Sequence, residues 1–324
     1  MSLRAIVAAS AALLLAAVAY IFTAARELPV AAVRHDIAAA RQPWLPASAP
    51  LPRETARAPG AASRASNDDW SPQDMPAVVA QRWREAKDKR AFFDRAVAVG
   101  GGAHLHFALE ALQRCRVVND LGMVGAEQEM VARIPANDPS QARRLEAHRA
   151  FIQGCDGFAM RRVSGQEVDA ITRRIYEQSD AVGRAYNLKS FPDTAAEYDE
   201  ARAAALELLE TRDPYVLQLL VPHLAGRSTG HLTWSQFMSS EAAIDSLNRE
   251  VGAWNWALCE LGVDCAAGGA YGNLNCFAVG KCDWKALDEV APLLFGAGTA
   301  KPLAGRKEEI VAAVRAGDWA KLGF

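Results

Sequence analysis

The run EAAIDSLNREVGAWNWALCELGVDC, residues 241–265, decides the fold class. Within it Ile244, Leu247, Val251, Trp254, Leu258 and Leu261 recur at steps of three and four. That is the period of an α-helix, and it lines up one apolar face over about five turns. Gly262 then supplies a residue free to leave the helix, and Cys265 follows in the turn. Two further faces keep the same rhythm: Val168, Ile171, Ile175, Val182 and Tyr186, and Leu105, Leu109 and Leu112 with Cys115. No stretch alternates apolar and polar residues as clearly over a strand's length. The expected fold class is therefore all-α.

Punctuation outside these faces agrees. Ser164 with Glu167, Thr194 with Glu197, and Thr233 with Gln236 each have the spacing of a capping box. Asp138 before Pro139 fits a cap followed by proline in a helix's first turn. Breaks are expected at Pro135, Gly154–Gly157, Pro192, Asp213-Pro214, Gly226–Gly230, Gly262 and Gly296–Gly298. The sum is about eight to ten helices joined by short loops, arranged as hairpins, an irregular solenoid or a plain irregular domain. The segment ALCELGVDC, residues 257–265, resembles the inter-helix turn of secreted Sel1-like cysteine-rich repeat proteins, which place cysteines across the turn of a hairpin. The resemblance implies exported helical hairpins. The cysteine spacing here is shorter than in that family, and the family's repeated glycine and alanine signature is missing.

Six cysteines are present: Cys115, Cys155, Cys259, Cys265, Cys276 and Cys282. An even number behind an export signal reads as a disulfide set. A chain doubling back at Gly262 brings Cys259 to Cys265, and Gly280 does the same for Cys276 and Cys282. Cys115 is then left with Cys155. The crossed pairing, Cys259 with Cys276 and Cys265 with Cys282, is the rival. Zinc knuckles place ligands two to four residues apart, whereas five residues intervene here, so no metal is expected at these sulfurs. Thiol redox catalysis would prefer two intervening residues.

The export signal is the uncharged run from Ala5 to Ala25, with Arg4 before it and Arg26 after it. About 21 residues at about 1.5 Å each reach about 30 Å, the depth of a bilayer's hydrocarbon core. Residues 1–26 thus read as a signal-anchor, or transmembrane, helix. Thr23-Ala24-Ala25 also permits a cleaved signal peptide. No cysteine lies near enough for a lipid anchor. Residues 27–75 carry Pro29, Pro43, Pro46, Pro50, Pro52, Pro59 and Pro72 among Ala, Ser and Arg, and read as a disordered linker. Residues 76–324 form the helical exported domain. Arg greatly outnumbers Lys, and Ala, Gly and Pro are abundant, the usage of a GC-rich bacterial gene. The expected location is the bacterial inner membrane, single-pass through residues 5–25, with the domain in the periplasm. The alternative is a secreted or periplasmic protein after cleavage.

The chemistry-bearing candidates are few. The 36 basic and 38 acidic side chains leave no basic footprint for nucleic acid. Gly100-Gly101-Gly102 lacks the Lys-Ser/Thr pair and the leading strand of a phosphate loop, and no cofactor is expected. His106 and Glu110 in HLHFALE share a helix face, whereas His104, two residues from His106, points about 200° away. The charged run Arg82–Arg90 reads as a solvated helix face, and Trp254 as core beside the disulfide turn. Trp256 is a partner contact or a second core face. The glycine-rich stretch 265–273 reads as a binding surface or a connector. The leading expectation is an envelope-anchored helical module that binds a protein or cell-wall partner or acts structurally. The alternative is a periplasmic metal-dependent hydrolase using His106 and Glu110.

Overall fold

The computed structural model describes residues 70–188, 194–226, 239–263 and 297–324. Between 264 and 296 it describes 265, 273, 276–278, 280 and 282. All belong to one unit, Asn67–Phe324. The segment 5–25 and most of the linker lie outside the described residues, as do Thr233 with Gln236 and most of the glycine-rich stretch. Among the described residues no helix is long and apolar enough to cross a membrane.

Twelve α-helices and one 3₁₀ turn, Trp319–Leu322, make up the described residues, and no strand occurs among them. They are α1 (Pro76–Glu85), α2 (Lys89–Val99), α3 (Gly102–Arg114), α4 (Arg116–Arg133), α5 (Gln141–Phe151), α6 (Asp156–Met160), α7 (Gly165–Tyr176), α8 (Ala181–Asn187), α9 (Ala195–Leu209), α10 (Pro214–Gly226), α11 (Glu241–Leu261) and α12 (Ala297–Ala316). The capping boxes form at Ser164 and Thr194, each side-chain oxygen accepting from an amide that the helix's first turn would otherwise leave bare. Gly262 ends α11 at φ 120°, a region that only glycine enters readily. Asp138 does not cap a helix: its Oδ1 accepts from the Ser140 amide and hydroxyl, and α5 starts two residues later than the Asp-Pro pair implies. The face from Val168 to Tyr186 is cut into α7 and α8. Asp180 makes the break, because its carboxylate caps α8 at the Gly183 amide and also accepts from the Gly102 amide.

Two apolar cores result. One is built by α1 to α8 around Phe92, Phe107, Phe158, Ile171 and Ile175, with Tyr215 from α10. The other lies among α8 to α12 and the 3₁₀ turn, around Leu217, Leu220, Trp254, Leu258, Ile310 and Trp319. Trp256 belongs to this second core, with the Lys307 ammonium over its ring. Leu219 and Val263 pack against both cores. Helix α3 touches α1, α2, α4, α7 and α8, and α10 reaches back to α1. Contacts between helices so far apart in the chain describe an irregular bundle, since a solenoid's units touch only their neighbours.

The sulfurs pair as Cys115–Cys155, Cys259–Cys265 and Cys276–Cys282, with Cα separations of 5.3, 5.4 and 4.4 Å. No cysteine is free. The first bridge ties the α3–α4 corner to the start of α6. The other two close short loops at the end of α11 and beyond it.

Candidate functional site

Helix α3 carries the residues singled out by the sequence, and its geometry separates them. His104 is fully buried. Its Nε2 lies 2.9 Å from the Ser71 carbonyl, which only accepts, so Nε2 carries the proton and also faces Asp74 at 3.1 Å. Nδ1 is left buried without a hydrogen-bond partner. Burial pushes the imidazole's pKa down, against the pull of Ser71 and Asp74. His106 leaves the opposite side of α3 and shares a 2.9 Å hydrogen bond between Nδ1 and the Tyr186 hydroxyl. Desolvation lowers its pKa to about 4, so it is neutral. Glu110, half-buried one turn along, is pushed up to about 7 by the same cause. Burial raises the pKa of the Tyr186 phenol, and the Glu110 charge adds to that rise. This corner therefore holds a neutral imidazole, a protonated phenol and a carboxyl poised to exchange a proton near neutrality. Among the described residues no three His, Cys, Asp or Glu side chains converge as metal ligands, so His106 and Glu110 have no third partner there.

His104's partners overturn one expectation. Residues 70–75 belong to the folded body, not to the linker. Trp70 stacks on His104 at 5.1 Å and tilts against Phe92 at 5.5 Å. The guanidiniums of Arg95 and Arg82 lie over its ring at 4.7 and 5.3 Å. Asp74 pairs with Arg82 and accepts from the Ser71 amide at 3.0 Å. Gly101, at φ 78°, makes the fit possible: a Cβ there would come within 2.0 Å of the Pro72 carbonyl oxygen. The chain thus enters the body through a clasp of residues 70–74, hidden in the sequence by its proline-rich surroundings.

The run Arg82–Arg90 is not a solvated helix face either. Helix α1 ends at Glu85 and α2 starts at Lys89, and Lys89 and Arg90 are buried. Lys89 turns its ammonium onto the Trp83 carbonyl at 2.6 Å, satisfying the bare end of α1. Burial, with the nearby Arg114 charge, lowers its pKa to about 8.

Other polar side chains of the body serve packing. His148 is buried against Phe277. His223 is buried in α10, and His231 lies outside the described residues. Arg144 holds the last disulfide loop to α5, donating to the carbonyls of Phe277 at 2.7 Å and Ala278 at 3.1 Å.

Helix α4 is different. It buries Ala126 and Met130 but leaves Leu121, Val124 and Val131 exposed, at 51%, 71% and 42%. Gly122 breaks its regular backbone at φ 74°. Gly125 has no side chain, and a Cβ there would meet Leu121 at 2.7 Å, so Leu121 lies across the glycine. Nearby α6 ends in Met160, 85% exposed. The sequence signal was a second apolar line, Val124 and Val131, on a different side of the helix from Ala126 and Met130.

No protein-family model matches this sequence, and no curated protein or solved structure is measurably similar to it.

Proposed function

We propose that this protein is a membrane-tethered binding module of the bacterial envelope, with residues 1–26 as anchor, 27–69 as spacer and the helical body on the oxidising side. The observation that carries the binding role is the solvent-facing apolar line Leu121, Val124 and Val131 on α4. Three large aliphatic side chains on one element, flanked on the helix by Glu127 and Gln128, have the composition of a contact surface. Three buried or half-buried disulfides with no free thiol support the compartment, since such pairs persist outside the reducing cytoplasm. The likeness of residues 257–265 to the turn of exported Sel1-like proteins points the same way.

The test is capture from detergent-solubilised envelope with the wild-type chain beside Val124→Glu and Val131→Glu. A partner held by the wild type and lost from both variants is expected. No specific partner, or one retained by both variants, refutes the assignment of the α4 face.

The second reading, a metal-dependent hydrolase at His106 and Glu110, is favoured by the carboxyl's rise to about 7, a range suited to proton transfer. Metal analysis of the purified chain decides it: stoichiometric zinc or iron, lost in His106→Ala, is what that reading requires.

A further inference from the structure

A cleft of about 380 Å³ opens between α2, the start of the segment after α6, and α7. Phe93, Val97 and Ile171 give it an apolar floor. Three guanidiniums, Arg90, Arg161 and Arg174, line it against two carboxylates, Asp94 and Glu167. Three positive charges less two negative ones leave the lining at plus one.

The carboxylates are already committed. Asp94 is shared between Arg90, at 3.0 Å, and Arg161. Glu167 accepts from the amide and hydroxyl of Ser164, at 2.8 and 2.9 Å, as part of the α7 capping box. Arg174 is not committed in the same way. Its hydrogen bond runs from Nη2 to the Val97 carbonyl at 3.0 Å, and it pairs with no carboxylate among the described residues. The berth for this guanidinium is made by Gly100, at φ 76°: a Cβ there would stand 3.1 Å from Nη2. Beneath the cleft Arg90 is 7% exposed, packed on the rings of Phe93 and Phe158, and its Nε makes no hydrogen bond. A positive charge is thus fixed in the floor, with a second one held open at the rim.

We propose that this cleft binds a small organic monocarboxylate with an apolar body. The carboxylate engages the guanidiniums of Arg174 and Arg161, and the body lies on Phe93 and Ile171. Arginine's planar fork matches a carboxylate in two parallel hydrogen bonds. One negative charge balances the lining. A phosphate dianion would bring its second charge against Asp94 and Glu167, and a cation would meet the surplus of arginine. The volume falls at the lower end of the roughly 300–1,000 Å³ of small-molecule sites.

The test is calorimetric titration of the full chain with 3-phenylpropionate, its neutral amide 3-phenylpropanamide, and phenyl phosphate. The carboxylate is expected to bind, and the amide to bind at least about tenfold more weakly, the loss of hydrogen bonds to a charged group. Phenyl phosphate is expected to be the weaker anion. Arg174→Gln should lower the carboxylate's affinity by about tenfold or more while the helical circular dichroism spectrum is retained. Arg161→Gln, at a largely exposed side chain, provides a second variant should the first fail to fold. No binding of the carboxylate at about 10 mM, equal binding of the amide, tighter binding of the phosphate, or an affinity indifferent to both substitutions overturns the proposal.

Discussion

Replacing the Cys115–Cys155 bridge by two alanines should destabilise the protein about twice as much as replacing Cys276–Cys282. The bridged residues are 40 apart in the first case and 6 apart in the second. In the chain-entropy description the two closures restrict the unfolded chain by about 4 and about 2.4 kcal/mol. Burial widens the difference. Cys115 and Cys155 are fully buried in the first core, whereas Cys276 is 7% exposed and Cys282 less deeply placed. Each sulfur withdrawn from a closed core adds about 1 kcal/mol. The first double variant therefore loses about 6 kcal/mol and the second about 3. At about 2–4 °C per kcal/mol the melting temperature falls by about 12–24 °C and about 6–12 °C respectively. Native stabilities of about 5–15 kcal/mol put the first variant at the edge of folding. Circular dichroism melts and urea titrations of the full chain, without reductant, measure both. Equal midpoints, or a larger loss from the Cys276 pair, would refute the reasoning. Melts of the wild type in reductant, which opens all three bridges, should fall below those of the first variant.

Two substitutions test the ends of α3. Glu110→Gln should remove an alkaline weakness: a carboxyl whose folded pKa is raised from 4.5 to about 7 favours the fold below 4.5, and that contribution is lost as pH rises through 7. The gain over wild type in urea should be nearly nil at pH 4 and about 1–3 kcal/mol at pH 8.5, the upper figure being discounted for the group's partial exposure; an equal gain at both pH values would show that packing, not ionisation, is responsible. Trp70→Ala removes a stacked and cation-flanked ring and should lower stability by about 2–3 kcal/mol, with amide exchange accelerating in residues 70–75 before the rest of the body. Unchanged exchange there would mean that the clasp does not hold the entering chain.

Some of this was legible in the sequence because it is local. The face on α11 needs only a period, and the capping boxes at Ser164 and Thr194 only a spacing of three. Short disulfide loops are likewise local, given a glycine where the chain turns. What escaped was set by partners far along the chain. The Val168–Tyr186 face reads as continuous until Asp180 is seen accepting from Gly102, 78 residues away. A count of charges over Arg82–Arg90 cannot show that Lys89 folds back to finish α1. Trp70 resembles the rest of a proline-rich stretch until His104 and Phe92 are placed beneath it. The arginines of the cleft come from α2, the segment after α6 and α7, and no window of sequence holds them together.

The two histidines of α3 show how one short motif joins distant parts of the body. Two residues apart on a helix, they leave opposite sides. One side holds the clasp through which the chain enters. The other holds Tyr186 on α8, the helix that gives Val182 to the first core and Ala185 to the second. Both imidazoles are kept neutral by burial. For a base with a depressed folded pKa, the stabilisation is present above 6.5 and is lost as pH falls, toward about 4 in the case of His106. Acid therefore works against the clasp and the junction between the cores together, because both depend on uncharged rings on the same three turns of helix. On α3 itself alkali acts at Glu110, on the junction side. The entry of the chain and the union of the two cores are thus linked through α3 on the acid side of neutrality and separable on the alkaline side.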